Sequence, residues 1–198
     1  MTEPLPPIAG HSPGDILRFW FEELSPKQHF NASPELDRRI GERFGTLLEA
    51  LEAAGYPHVW EGTPEGALAL VVALDQFPRN IHRGEAGAFL LDNIALDVAM
   101  RLIGNGFLGK LPEERRKFAL MPLMHSEDAE VQKTSVEMFA KLGDADTLRH
   151  AEAHKQVVEL YGRFPGRNAA LGRDSTPGEE AYLENGGYGK LLEEAAIT

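Results

Sequence analysis

Four hydroxyl–proline pairs mark the starts of helices and constrain the fold more than any other feature of the chain. They are Ser12-Pro13, Ser33-Pro34, Thr63-Pro64 and Thr176-Pro177. In each pair the hydroxyl can accept a hydrogen bond from a free amide of the first turn, and the proline suits the first helical position, where no N–H is needed. Thr176 and Glu179 also have the spacing of a capping box. The pairs therefore predict a chain built from helices.

Apolar residues recur at helical spacing between these start signals, as in the stripe Leu36, Ile40, Phe44, Leu47, Leu48 and Leu51. The run 67–74 is apolar on every side and rich in alanine and leucine, which predicts a central buried helix that includes Leu70, Val72 and Leu74. The segment 85–103 carries two apolar stripes and is predicted to be a helix packed on two sides. Further helices are expected near 112–121, 127–142, 145–162 and 177–184. With no convincing alternation typical of strands, the prediction is an all-α single domain of about eight helices over 12–198, after a flexible Pro-rich segment over 1–11.

Composition excludes several classes of function. The net charge of −11 argues against sequence-independent binding to nucleic acid or to an anionic membrane, because both need a cationic surface. The chain has no cysteine, which excludes disulfides, thiolate metal sites and cysteine nucleophiles. Its first residues do not have the pattern of a signal peptide, and the longest apolar run is too short to span a bilayer, so we expect a cytoplasmic protein. Nothing indicates a cofactor or an oligomeric state.

Two motifs resemble known ligand sites, but a structural role explains each of them better. Gly104, Gly106 and Gly109 match the spacing of the dinucleotide fingerprint, but a long amphipathic helix is predicted where that fingerprint needs a strand, so the glycines are expected to end a helix. His150 and His154 lie one helical turn apart and could ligate a metal. Because His154 falls within an apolar stripe, we favour a buried histidine with a hydrogen-bond partner and predict no metal.

The segment DQFPRN at 75–80 recurs as GRFPGRN at 162–168. Because a proline disfavours helical geometry in the residue before it, Phe77 and Phe164 are each predicted to end a helix. The two resulting loops, 77–83 and 162–173, hold five arginines and no acidic residue, which makes a local cationic cluster in an acidic chain. Asp75, at the end of the buried helix, needs a cationic partner, and an arginine from either loop fits.

A third motif, Met121 to Asp128, contains His125, Ser126 and Glu127. Ser126 is expected to cap a helix at its N-terminus, and the carboxylates of Glu127 and Asp128 are favoured there by the positive end of the helix dipole. His125 and Glu127 could also act as a general acid and base. Capping does not explain His125, so both interpretations stay open.

These motifs, together with the opening ILRFWF and the segment STPGEE, resemble the bacterial family known as domain of unknown function 924, over roughly Asp15 to Leu183. The resemblance implies a fold similar to the tetratricopeptide-repeat superfamily, with antiparallel helix pairs in a stacked array. It implies no activity. Family members often carry histidine where this chain has Gly166. The positions that match the family's motifs are Asp75, Gln76, Arg79, Asn80, His125, Ser126, Glu127, His154, Arg163, Arg167, Asn168 and Arg173.

Two hypotheses of function follow, with a third in which both arginine loops only lock the fold. The first is a binding module for an anionic small molecule or a carboxylate-bearing peptide. In it the two loops meet at one pocket, and the ligand-binding residues are Gln76, Arg79, Asn80, Arg163, Arg167, Asn168 and Arg173. The second is a hydrolase that uses His125, Glu127, Asp75 and His154, with the arginines holding a phosphate or carboxylate substrate. The first is favoured, since groups that hold anions are visible and a nucleophile is not.

Overall fold

The computed structural model describes residues 5–31, 33–56 and 58–195. Over these residues it is helical, with an isolated bridge between Ile8 and His11 as its one extended pairing. The α-helices are α1 (Pro13–Arg18), α2 (Pro34–Ala54), α3 (Pro64–Val71), α4 (Phe77–Ile81), α5 (Asp92–Gly104), α6 (Glu113–Met124), α7 (Ala129–Leu142), α8 (Ala145–Tyr161), α9 (Pro177–Glu184) and α10 (Gly187–Ala195). The predicted all-α class is confirmed, and the short helices α4 and α10 add to those expected.

Four predicted helix starts carry the expected caps. The side chains of Ser12, Ser33 and Thr63 each accept a hydrogen bond from a backbone N–H in the first turn of α1, α2 and α3. At α9, Thr176 and Glu179 form the predicted capping box. The hydroxyl–proline pairs thus fix where four helices begin.

The expectation that Ser126 caps a helix was wrong, because the N-cap of α7 is Asp128, whose side chain accepts from two amides of the first turn, while Ser126 Oγ accepts from the Asp128 N–H.

The predicted central helix is buried on every side. Leu70, Val72 and Leu74 are each at most 1% exposed. The helix α3 contacts both α1 and α5, so an apolar surface all round is what its position requires.

The expectation that this helix ends at Phe77 was wrong. Residues Val72–Gln76 form a π-helical turn, and Phe77 keeps helical dihedral angles (φ −64°, ψ −43°) as α4 begins. The proline at 78 falls in the first turn of α4, where its missing N–H is tolerated, and the wider π turn before it shifts the hydrogen-bonding frame. Most of the expected loop 77–83 is therefore helical.

The segment 85–103 also differs from its prediction. It divides into a 3-10 turn, Ala86–Phe89, and α5. The stripe that contains Ala95, Val98 and Leu102 is buried, whereas Met100 of the second stripe is 45% exposed. The other three residues of that stripe, Phe89, Leu96 and Ile103, are half-buried, so one stripe is fully buried and the other is only partly covered.

The glycines after α5 turn the chain, as predicted. The helix ends at Gly104, and Gly106 adopts φ 68°, in the left-handed region that favours glycine. A helix stands where a dinucleotide fingerprint requires a strand.

The chain divides into two compact units, one ending at Pro122 and the other beginning at Leu123. In the second unit, α7 packs on α8, and α10 packs on α8 and α9. The single domain and the repeat-like array stay predictions. Of the N-terminal segment expected to be flexible, 1–4 lie outside the described residues, and the Pro6 carbonyl accepts a hydrogen bond from Trp60 Nε1 at 2.7 Å. No helix in the described ranges is long and apolar enough to cross a bilayer.

Candidate functional site

The residues singled out in the sequence fall in both units. Asp75, Gln76, Arg79 and Asn80 lie in the first, and His125, Ser126, Glu127, His154, Arg163, Arg167, Asn168 and Arg173 lie in the second. The meeting of the two Phe-Pro segments at one pocket stays a prediction, and each group is described within its own unit.

In the first unit, Asp75 is fully buried and has the cationic partner that its position was predicted to need. Arg79 Nη1 lies 3.0 Å from Asp75 Oδ1 and 2.9 Å from Asp92 Oδ1. Gln76 Nε2 donates to Asp75 Oδ2 at 2.6 Å. Burial by itself would lower the pKa of Arg79, but the charges of Asp75 and Asp92 raise it above its ordinary value. Arg79 and Gln76 therefore stabilise a buried carboxylate.

The neighbouring Asn80 also holds its own segment together. Its Nδ2 donates to the Gln76 carbonyl at 2.8 Å, and its Oδ1 accepts from Arg83 Nη2 at 3.2 Å. Arg83 forms a two-point pair with Asp37 at 2.7 and 2.8 Å. This is the fork-shaped pairing that a guanidinium favours.

In the second unit, Phe164 ends a helix as predicted. After α8, Gly162 adopts φ 69°, and Phe164 is extended at φ −91° and ψ 106°. Both oxygens of Glu127 hold this turn. Oε1 accepts the Phe164 N–H at 2.8 Å, and Arg173 donates Nη1 to Oε2 at 2.8 Å and Nη2 to Oε1 at 3.0 Å. Although burial would raise it, these hydrogen bonds hold the pKa of Glu127 below its ordinary value.

A second ion pair lies beside this turn. Arg163 donates Nε to Glu179 Oε1 at 2.6 Å and Nη2 to Oε2 at 2.8 Å. Glu179 also accepts the Thr176 N–H at 2.7 Å as part of the capping box. Led by the Arg163 hydrogen bond, these contacts lower the pKa of Glu179 to about 2. The α9 cap and the segment after α8 are thus held by one carboxylate.

These pairs change the charge count on which the sequence argument rested. The sequence showed five arginines and no acidic residue in the two segments, but Asp92 and Glu179, which lie outside both segments, also neutralise arginines. Asn168, which is 2% exposed, donates to Ser175 Oγ at 3.0 Å and accepts from Arg173 Nε at 3.0 Å. The contacts of Arg79, Arg163, Asn168 and Arg173 are those of a structural lock.

Arg167 differs from the other arginines because it lines a pocket. The pocket has a volume of about 200 Å³ and is lined by His154, Val157, Phe164, Pro165, Gly166, Arg167, Tyr182, Leu183 and Tyr188. The Arg167 guanidinium lies over the Phe164 ring, with Cζ 4.7 Å from the ring centroid, and Nη2 donates to the His125 carbonyl at 2.8 Å. The pocket wall is therefore apolar and aromatic, with one cation.

His154 forms the aromatic side of this pocket. Its ring centroid lies 4.6 Å from that of Tyr188, 5.4 Å from Phe164 and 6.1 Å from His125. Nδ1 lies 2.8 Å from the His150 carbonyl, so Nδ1 carries the proton and Nε2 is a hydrogen-bond acceptor. Burial, then the charges of His125 and nearby groups including Arg167, lower the pKa of His154 to about 3. At neutral pH this imidazole is uncharged.

Tyr188 is a pocket residue that the sequence did not reveal. It lies on α10, which was not predicted, and its hydroxyl is 2.6 Å from His150 Nδ1. Burial raises the pKa of Tyr188. Across the described residues, no group of three or more His, Asp or Glu side chains is placed to hold a metal ion.

Two of the predicted catalytic residues, Glu127 and His154, are weak bases. Both oxygens of Glu127 accept hydrogen bonds, and its lowered pKa makes it a weak base. His154 is a weaker base than an ordinary histidine for the same reason.

Comparison with known proteins identifies the family of the chain and a similar solved structure. No curated protein shows significant similarity to the chain. A solved structure of a protein of unknown function from Agrobacterium tumefaciens is similar, with 35% sequence identity and a TM-score of 0.82 over 87% of this chain and 97% of that chain. The model of a family of bacterial proteins of unknown function, DUF924, matches residues 16–187. The chain therefore belongs to the bacterial DUF924 family.

Proposed function

We propose that this protein is a binding module whose second unit holds a small anionic molecule in the pocket beside Arg167. The observation that carries the proposal is the Arg167 guanidinium on the wall of a pocket that is otherwise apolar and aromatic. Ligand sites typically combine such a wall with a few polar groups that orient the ligand. A guanidinium favours carboxylate or phosphate, which it can bind through two parallel hydrogen bonds.

The size of the pocket favours a small molecule over a peptide. Its volume of about 200 Å³ lies below the range of roughly 300–1,000 Å³ that is usual for drug-sized ligands. A carboxylate-bearing peptide could place little more than its last residue there. The net charge of −11 also opposes a large polyanion, whereas a small anion meets the local field of Arg167.

Of the proposed ligand-binding residues, Arg167 is the one that lines this pocket, and we retain it on that ground. Arg79, Arg163 and Arg173 are paired with carboxylates, and Gln76, Asn80 and Asn168 bond to neighbouring groups. These residues shape and stabilise the two Phe-Pro segments. The hydrolase alternative gains no specific support, because Glu127 and His154 both have lowered pKa values.

Isothermal titration with acetate, benzoate and inorganic phosphate tests the proposal. We expect at least one of these anions to bind the wild type. Arg167→Lys should weaken binding about threefold to tenfold, because lysine keeps the charge and loses the planar fork. Arg167→Met should weaken it by about tenfold or more, since it removes hydrogen bonds to a charged group.

The matched control is Arg38→Lys, because Arg38 forms an exposed pair with Glu42 on α2, outside the pocket. It should leave binding unchanged. Far-ultraviolet circular dichroism checks that each variant is folded. The proposal would be contradicted if the wild type and Arg167→Met bound every anion with equal affinity. It would also be contradicted if no anion bound the wild type.

A further inference from the structure

We propose that residues 5–8 of one chain bind to the first unit of a second chain, so that two copies exchange this segment and form a dimer. We call residues 5–8 the arm, and the surface at Trp60 and Gly66 on which it lies the arm site. The inference is independent of the pocket beside Arg167. Three features carry it: the arm site, the turn that follows the arm, and the stiffness of the arm.

The arm site holds the arm through one hydrogen bond and one close contact. Trp60 Nε1 donates to the Pro6 carbonyl at 2.7 Å, across 54 positions of the chain. A Cβ built on Gly66 would lie 3.0 Å from Leu5 Cδ1, so the missing side chain of Gly66 lets the arm approach closely. Trp60 is fully buried, and loss of the arm would leave its N–H without this acceptor. An arm in place, from the same chain or from another, satisfies this donor.

The turn after the arm is strained. Ile8 and His11 exchange two backbone hydrogen bonds, at 2.9 and 2.8 Å, which close a two-residue turn over Ala9 and Gly10. Both central residues have a positive φ, 46° for Ala9 and 82° for Gly10, as in the type I′ turns that favour asparagine and glycine. Alanine suits this turn poorly, because its Cβ crowds the backbone at positive φ. Within the described ranges, Ala9 is the one residue other than glycine with a positive φ.

Opening this turn releases the strain and loses little else. Ala9 and Gly10 are exposed, and Ile8 and His11 are only half-buried, so backbone groups freed by opening can bond to water. A second copy offers an identical arm site, where the Trp60 hydrogen bond can form again between chains. Short hinge loops under strain favour such an exchange, which is a low-cost route to a dimer.

The sequence of the arm suits it to capture by another chain. Pro6 and Pro7 each have a fixed φ, and each proline disfavours helical geometry in the residue before it. The opened arm therefore stays extended, and it loses little conformational entropy when it binds. A second copy is favoured over an unrelated partner because it supplies both an arm and an arm site, so that both sites are filled in one symmetric dimer.

Cross-linking between two single-cysteine variants tests the exchange directly, because the chain itself has no cysteine. Leu5→Cys places a thiol on the arm, and Thr63→Cys places one at the arm site. These positions are close, because Leu5 Cδ1 and Thr63 Oγ1 lie 3.0 and 2.9 Å from the same point, the Cβ position built on Gly66. The two variants are mixed in mild urea, returned to buffer at high concentration and treated with a short bismaleimide.

We expect a covalent dimer that contains one chain of each variant. Far-ultraviolet circular dichroism checks that both variants are folded, and each variant treated alone is the control. Cross-linking in the mixture that does not exceed that of the separate variants overturns the exchange.

Light scattering on hinge variants gives a second measurement that does not depend on these cysteines. The wild type should show a dimer whose fraction grows with concentration. Ala9→Asn suits the turn and should raise the Kd of the dimer about tenfold or more, because both hinges lose their strain. Gly10→Pro cannot adopt φ 82° and should increase the dimer fraction. The control is Ala86→Asn, at an exposed alanine outside the arm and its turn, and it should leave the dimer fraction unchanged.

Two results of this second measurement would overturn the inference. One is a wild type that is monomeric at every concentration. The other is a dimer whose Kd is the same in Ala9→Asn, Gly10→Pro and the wild type, because such a dimer would not depend on the hinge. Neither result bears on anion binding beside Arg167, which the titration tests separately.

Discussion

Glu127→Gln gives the sharpest test of how the second unit is held together. The carboxylate accepts three hydrogen bonds, two from Arg173 and one from the Phe164 N–H. Glutamine can still accept from the Phe164 N–H, but it loses the negative charge and turns an amide donor toward the guanidinium. Arg173 would then be a partly buried cation without its carboxylate.

The expected cost lies between those of exposed and buried ion pairs. Exposed pairs contribute about 0–1 kcal/mol, and breaking a buried pair costs about 3–5 kcal/mol. The side chains of Arg173 and Glu127 are 23% and 28% exposed, and hydrogen bonds to charged groups contribute about 1.5–3 kcal/mol. We therefore expect Glu127→Gln to lower the free energy of unfolding by about 2–3 kcal/mol.

Urea unfolding followed by far-ultraviolet circular dichroism measures this loss. Amide hydrogen exchange at Phe164 reports on the turn itself, and exchange there should accelerate. The control is Glu159→Gln, because Glu159 is 47% exposed and forms a surface ion pair with Lys155. This substitution should lower the free energy of unfolding by less than about 0.5 kcal/mol. Equal stability of the two variants, with unchanged exchange at Phe164, would refute the reasoning.

The same carboxylate predicts a dependence on pH. Because folding lowers the pKa of Glu127 from its ordinary value of 4.5, its contribution is fully present above that value and is lost as pH falls toward the folded pKa. The wild type should lose stability below about pH 4.5 more steeply than Glu127→Gln. If Glu127 contributed nothing, the free energies of unfolding of the wild type and Glu127→Gln would fall in parallel as the pH decreases.

Four further substitutions test particular parts of the fold. Leu70→Ala should cost about 2–5 kcal/mol in urea unfolding, because Leu70 is fully buried; a negligible cost would contradict the central position of α3. Gly162→Ala should lower the free energy of unfolding by about 1–2 kcal/mol, because the φ of Gly162 is 69°. Gly166→Ala should be neutral or stabilise the protein by up to about 1 kcal/mol, because a Cβ at that position meets nothing within 4 Å. Equal effects of the two substitutions would refute the backbone argument. Ser135→Ala should cost little in thermal unfolding, since the buried Oγ of Ser135 has no hydrogen-bond partner within the described structure, and a cost above about 1 kcal/mol would indicate a bridging water.

The sequence predicted those parts of the fold that local chemistry determines. Thr176 and Glu179 could be recognised as a cap because both partners lie within one turn of the same helix. Phe164 could be recognised as a helix end for a similar reason, since Gly162 closes α8 just before it. Phe77 was wrongly predicted to end a helix, because the π turn that accommodates Pro78 has no local sequence signal.

The candidate site was harder to predict because its contacts join residues that are distant in the chain. Arg173 and Glu127 are separated by 46 positions, and Arg163 and Glu179 by 16. Counting nearby charges therefore left the arginines with too few partners. Tyr188, on a helix that the pattern did not indicate, completes the pocket wall only in three dimensions.

The central claim is that the pocket beside Arg167 binds an anion, and a crystal structure with benzoate tests it most directly. The account predicts carboxylate oxygens about 2.7–2.9 Å from the Arg167 guanidinium nitrogens and a ring against Phe164. Two results would contradict the account. One is benzoate bound at another place on the protein but not in this pocket, and the other is an empty pocket in crystals grown at saturating benzoate when the protein binds benzoate in solution.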